Sequence, residues 1–107
     1  MSVENTKTID GLAYDEENKR ICLMLADNLD WSNEYGHLKL LQDKLNTYAY
    51  YIQSGQYKKQ YSDKEITSAL IEIYFKYDIS KTVEKFLQTA QDSFGQAGIL
   101  IECHIEG

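Results

Sequence analysis

With 107 residues the chain can bury one hydrophobic core and not two, since fragments of about 50 residues would have to build the second. Hydrophobic residues make up 43% and charged residues 26%, which places the chain among globular domains and away from compositions that stay disordered. The net charge of -6 repels phosphate backbones and anionic headgroups; the nearest basic patch, Lys58 and Lys59 beside Tyr57 and Tyr61, is too thin to offset it, so neither nucleic acid nor a membrane is an expected partner.

The first ten residues have no basic start and no apolar run, and no stretch approaches the roughly 18 apolar residues of a membrane span, so a cytoplasmic location is expected. The two cysteines, Cys22 and Cys103, lie far apart in apolar segments. That is not the spacing of a disulfide scaffold, and buried, reduced thiols are expected.

In chain order, Ile9 to Tyr14 and Arg20 to Ala26 are short apolar runs separated by the polar cluster Asp15 to Lys19, which reads as a β-hairpin. In the second run Ile21, Leu23 and Leu25 alternate with Cys22, Met24 and Ala26, so both faces are apolar and the strand should be central. Leu38, Leu41, Leu45, Tyr48 and Ile52 then recur at helical spacing, with Ser32 placed as N-cap, Glu34 facing the positive end of the dipole and Gly55 as terminator. A polar connection, Gln56 to Lys64, precedes a strand over Glu65 to Tyr77. Ser80 caps a second helix with the stripe Val83, Phe86, Leu87, Ala90, Phe94 and Ala97, ending near Gly98. Ile99, Ile101, Cys103 and Ile105 alternate with Leu100, Glu102, His104 and Glu106 in a closing strand.

The order ββαβαβ predicts an α+β fold, a two-layer sandwich in which two helices pack on one face of a four-stranded mixed sheet. The strand order stays open. The opposite face should then display Cys22, Met24, Leu70, Tyr74, Leu100 and His104, which is more apolar than a solvated face and fits a homodimer contact. The alternative is a monomer in which long polar side chains and the termini cover that face.

The densest polar constellation is Asp27, Asp30, Glu34 and His37 around Trp31. Glu34 and His37 are three apart on a helix, and carboxylates with an imidazole suit a divalent metal or an acid and base pair. The structural alternative is favoured: Asp30 and Ser32 organise a turn, Glu34 supports the helix start, Trp31 plugs the sheet edge and His37 is solvated. His104 and Cys103 point to opposite faces of their strand and cannot form a nucleophile and base couple. No nucleophile elbow, phosphate loop or Cys-x-x-Cys pair is present, so no catalytic residue and no cofactor is assigned.

Nine tyrosines are unusual for this length, and five of them, Tyr48, Tyr50, Tyr51, Tyr57 and Tyr61, fall in or just after the first helix. Tyr50 and Tyr51 are candidate recognition residues; the competing reading makes Tyr48 core and packs Tyr51, Tyr57 and Tyr61 against the sheet edge.

The segments Asp27-Asn28-Leu29-Asp30-Trp31, His37-Leu38-Lys39-Leu40-Leu41-Gln42-Asp43-Lys44-Leu45-Asn46-Thr47-Tyr48 and Ile52-Gln53-Ser54-Gly55 resemble a small family of uncharacterised bacterial proteins, a domain of unknown function. The likeness extends to Ser2-Val3-Glu4-Asn5, Ile9-Asp10, Lys76-Tyr77 and Phe86-Leu87. Relatives often place proline after the positions of Tyr61 and Tyr77, where this chain has Ser62 and Asp78. The resemblance implies a bacterial cytoplasmic protein and brings no activity, cofactor or site residue. Three functions are carried forward: a non-enzymatic protein-interaction module acting as a dimer, an immunity-type inhibitor whose acidic surface covers the basic cleft of a nucleic-acid-attacking toxin, and a metal-dependent enzyme using Asp27, Asp30, Glu34 and His37.

Overall fold

The computed structural model describes residues 3–106; Ser2 of the opening motif lies outside them. Strands β1 (Gly11–Asp15) and β2 (Arg20–Asp27) form the expected antiparallel hairpin. Residues 16–19 make the turn, which closes with Lys19 in the left-handed region at φ 52. Asp15 organises that turn by accepting hydrogen bonds from the Asn18 side chain at 2.8 Å, the Asn18 backbone N–H at 3.3 Å and Arg20 Nε at 3.1 Å. Those donors, Asn18 foremost, hold its carboxyl below the usual range.

Helix α1 (Glu34–Ser54) follows, then a one-turn helix α2 (Tyr57–Gln60) inside the segment expected to be irregular. Strand β3 (Ser68–Phe75), helix α3 (Lys81–Gly95) and strand β4 (Ile99–Ile105) complete the chain. β3 is shorter at both ends than the alternation from Glu65 to Tyr77 implies. Of the four sequence assignments of helix ends, two hold and two come out differently. α1 is capped by Asn33, whose Oδ1 accepts from Gly36 N at 3.1 Å, while the Ser32 hydroxyl donates to Asp30 Oδ1 at 2.7 Å. Gly55 terminates α1 at φ 75 as expected. α3 is capped by Ser80 as expected but ends at Gly95, and left-handed Gly98 at φ 79 turns the chain into β4.

The sheet order is β1-β2-β3-β4, with β1 antiparallel to β2 and β2, β3 and β4 mutually parallel. The two parallel connections both step one strand in the same direction. Crossovers of one hand that step the same way lay their helices on the same face, and this one-sided arrangement is what the fold shows. Ile21, Leu23 and Leu25 of β2, Ala69, Ile71, Ile73 and Phe75 of β3 and Ile99 of β4 pack with Leu41, Leu45 and Tyr48 of α1 and Val83 and Leu87 of α3 in one core. Tyr48 and Tyr57 are core residues, Tyr61 meets Tyr14 in a tilted pair with centroids 5.9 Å apart, and Tyr51 lies against Tyr57. Cys22 and Cys103 are free, and in register they lie on opposite faces of the sheet. Cys103 is exposed rather than buried, because it sits near the end of the edge strand.

The buried face of α1 is not wholly apolar. His37, Leu41, Lys44, Leu45 and Tyr48 are its buried residues, and Lys44 is fully enclosed. Its ammonium donates to Asp10 Oδ1 at 2.7 Å and to the Asn5 carbonyl at 3.0 Å. Asp10 Oδ2 accepts from Ala26 N at 2.9 Å. The Tyr48 hydroxyl bridges the start of the hairpin, accepting from Asp10 N at 2.9 Å and donating to Met24 O at 2.6 Å. Burial pushes that phenol far above its ordinary value, so it keeps its proton, and its role as a donor, at neutral pH. Thr47 donates to Thr6 O and Val3 enters the core, so residues 3–10 are strapped along α1.

Removing one partner of an enclosed ion pair leaves an uncompensated charge, so Lys44→Ala should cost about 3 kcal/mol or more in urea denaturation at neutral pH. The double change Lys44→Met with Asp10→Asn removes both charges while keeping the acceptor for Ala26, and should recover part of that loss.

Candidate functional site

Two polar clusters merit consideration, one at the end of β2 and one on the uncovered face of the sheet. At the first, the parallel strands stop, and α1 starts over the end of β2. Asp27 and His37 are both buried, at 1% and 3% exposure. His37 Nε2 lies 2.7 and 2.6 Å from the two carboxylate oxygens of Asp27. His37 Nδ1 lies 2.9 Å from the Asp30 carbonyl, which can only accept, so Nδ1 carries a hydrogen. Asp27 Oδ1 also accepts from Leu29 N at 3.2 Å. Trp31 stacks on the imidazole with centroids 3.5 Å apart and tilts against Phe75 at 6.0 Å. Burial raises the Asp27 carboxyl above the usual carboxylate range, partly opposed by the hydrogen bond and charge of His37.

The sequence cluster is therefore brought together only in part. Asp27 and His37 meet side chain to side chain, and Asp30 joins through its main chain while its carboxylate accepts from Ser32. Glu34 turns away to accept from the Ser80 hydroxyl at 3.2 Å, tying the start of α1 to that of α3. His37 is not solvated, as its position on the helix first implies: it lies two turns before Lys44 on the same buried seam. Both ring nitrogens are committed to oxygen acceptors, so a metal here would have to displace one of them. The adjoining depression, about 220 Å³ and lined by Leu29, Asp30, Ser32, Asn33, Gly36, His37 and Leu40, is shallow. Chemically the arrangement is a rigid clamp joining β2, the connecting turn and α1.

The second cluster lies on the face opposite the helices, where no element packs among the described residues. Register sets its side chains in rows: Ala13, Cys22, Leu70 and Leu100; then Gly11, Met24, Glu72 and Glu102; then Ala26, Tyr74 and His104. Met24, Tyr74 and Leu100 are 38, 41 and 47% exposed. Leu70 shares this face as expected but is buried, flanked in register by Cys22 and Leu100 on the neighbouring strands. The methyl of Met24 lies over Gly11, where a Cβ would collide with it. Tyr74 stacks on His104 with centroids 4.7 Å apart, and its hydroxyl donates to Glu72 Oε2 at 3.0 Å. That carboxylate holds the phenol's own proton in place and raises its pKa. His104 Nε2 lies 3.2 Å from Glu72 Oε2 and 3.9 Å from Glu102 Oε1. Sequence reading picks out Tyr74 and His104 but not Glu72 and Glu102 as members of one group, because only the parallel register of β3 and β4 aligns them. The candidate recognition residues separate: Tyr50 projects from α1 at 70% exposure, whereas Tyr51 is half-buried.

Replacing His37 by Ala should cost about 3 kcal/mol in urea denaturation followed by the fluorescence of Trp31, because Asp27 is left buried without its partner. A native carboxyl raised above its unfolded value takes up its proton first as pH falls. Relative to Asp27→Asn, the parent chain should therefore gain stability as pH falls through the raised value, with the gain complete below about 3.8.

No curated protein and no solved structure matches the chain. A family model matches residues 1–107, and by that match the chain belongs to a family of unknown function, DUF6572.

Proposed function

We propose that the protein is a non-enzymatic interaction module that acts as a homodimer in the cytoplasm, joined through the open face of its sheet. The observation that carries this reading is the exposure of Met24, Tyr74 and Leu100, set around Leu70, on a sheet face that no described element covers. Apolar side chains grouped on a flat face lose water when they meet a complementary surface, and scattered ones do not. A second copy of the chain brings the same side chains, so that Met24, Leu70, Tyr74 and Leu100 of one copy would cover those of the other. Two-fold self-contact is also the commonest way in which soluble chains assemble. The committed hydrogen bonds of the Asp27 and His37 clamp support a structural role for that cluster over a catalytic one, and two free thiols on opposite faces suit a reducing compartment.

Multi-angle light scattering should give twice the chain mass at tens of micromolar protein. Leu100→Glu adds a like charge to an exposed position and should leave the fold intact while weakening association by at least about tenfold. A parent chain that stays monomeric up to millimolar concentration would overturn the reading.

A further inference from the structure

We propose that Glu72, Glu102 and His104 form a binding site for a divalent transition-metal ion of the zinc class on the open face of the sheet. Among the described residues they are the one group of three metal-ligating side chains whose donor atoms all lie within 4.8 Å of one another. A tetrahedral ion with bonds of about 2.0 to 2.2 Å sets its ligands about 3.4 Å apart. The separations of 3.2 Å from His104 Nε2 to Glu72 and 3.9 Å to Glu102 bracket that edge, so small rotations, chiefly of the exposed Glu102 carboxylate, would close the set.

The ligands are also held from behind. Glu72 and Glu102 are direct cross-strand partners, and His104 stands two residues beyond Glu102 on the same face. Tyr74, its own partner in the register, stacks on the imidazole and fixes the ring plane, and its hydroxyl anchors Glu72. Outer hydrogen bonds and packing of this kind orient ligands and strengthen metal sites. An imidazole with two carboxylates suits zinc and its first-row neighbours. Calcium takes six to eight oxygens, more than two carboxylates supply, and magnesium, which keeps most of its waters, gains little from an imidazole. Three protein ligands leave a fourth position open to solvent or to a group brought by whatever covers the face. All three ligands come from one chain, so the site stands whether or not the protein dimerises.

Isothermal titration of the full chain with zinc chloride should show one ion per chain with a dissociation constant of about 10 μM or tighter, and no heat with magnesium or calcium chloride at the same concentrations. His104→Ala and Glu102→Gln, both at exposed positions, should each weaken zinc at least about tenfold, with circular dichroism unchanged. The Cys22→Ser, Cys103→Ser double variant should bind as the parent does. Absence of zinc binding, binding unaffected by both ligand changes, or loss of binding in the cysteine variant would each overturn the proposal. Light scattering on the same samples keeps the two readings apart: a zinc-binding monomer refutes only the dimer, and a dimer without zinc binding refutes only the metal site.

Discussion

The whole structure depends on one constraint, that both helical crossovers lie on the same side of the sheet. Because β2, β3 and β4 step in one direction, α1 and α3 share a face, and the main core lies between them and the strands, joined by Val3 and Tyr57. The consequence is a sheet with two unlike sides. In open sheets of parallel strands, ligands commonly bind beyond the carboxyl ends of the strands. In this fold that end is occupied by the protein itself: Trp31 lies against His37 and Phe75, and Asp27 is sealed beneath. The flat side is the one that no described element covers.

The elements were legible in the sequence because their patterns are local. Alternation marked β2, β3 and β4, and the Ser80 cap and Gly55 terminator sit where their chemistry requires. What could not be read locally was the phase of α1 and the register of the strands. The spacing of Leu38, Leu41, Leu45, Tyr48 and Ile52 describes a stripe centred slightly off the true one, which runs through His37, Leu41, Lys44 and Tyr48. An apolar count passes over His37 and Lys44 by construction. Their partners, Asp27 and Asp10, come from other elements, and the strap of residues 3–10 that contributes Asp10 and Val3 has no periodicity to announce it. The same holds for the metal candidate: Glu72 and Glu102 each look like ordinary solvated strand residues until β3 and β4 are placed side by side.

The polar seam of α1 has a physical role that an apolar one could not fill. Leucines can slide by a turn against a sheet at modest cost, since one apolar contact replaces another. Lys44 and His37 cannot, because the charged partner of each stands at a fixed place. Lys44 meets Asp10 before β1, and His37 meets Asp27 at the far end of β2, about 10 Å along the helix from Lys44. The two pairs pin α1 at two points, so their desolvation cost is offset by a single allowed position rather than by a large gain in stability.

That pinning bears on the open face. A sheet can associate by lengthening at an edge or by stacking its faces, and edges are the usual hazard. Here the outer edge of β4 is occupied: Gln91 of α3 accepts from Ile101 N at 2.7 Å and donates to Ile99 O at 3.2 Å, reproducing a neighbouring strand over that stretch. β1, the other edge, is only five residues long. With one edge blunted and the other short, edge pairing offers few bonds to a partner. The apolar side chains and the carboxylates beside them lie on the face, so the dimer proposed above would form by stacking, where Met24, Tyr74 and Leu100 have area to bury.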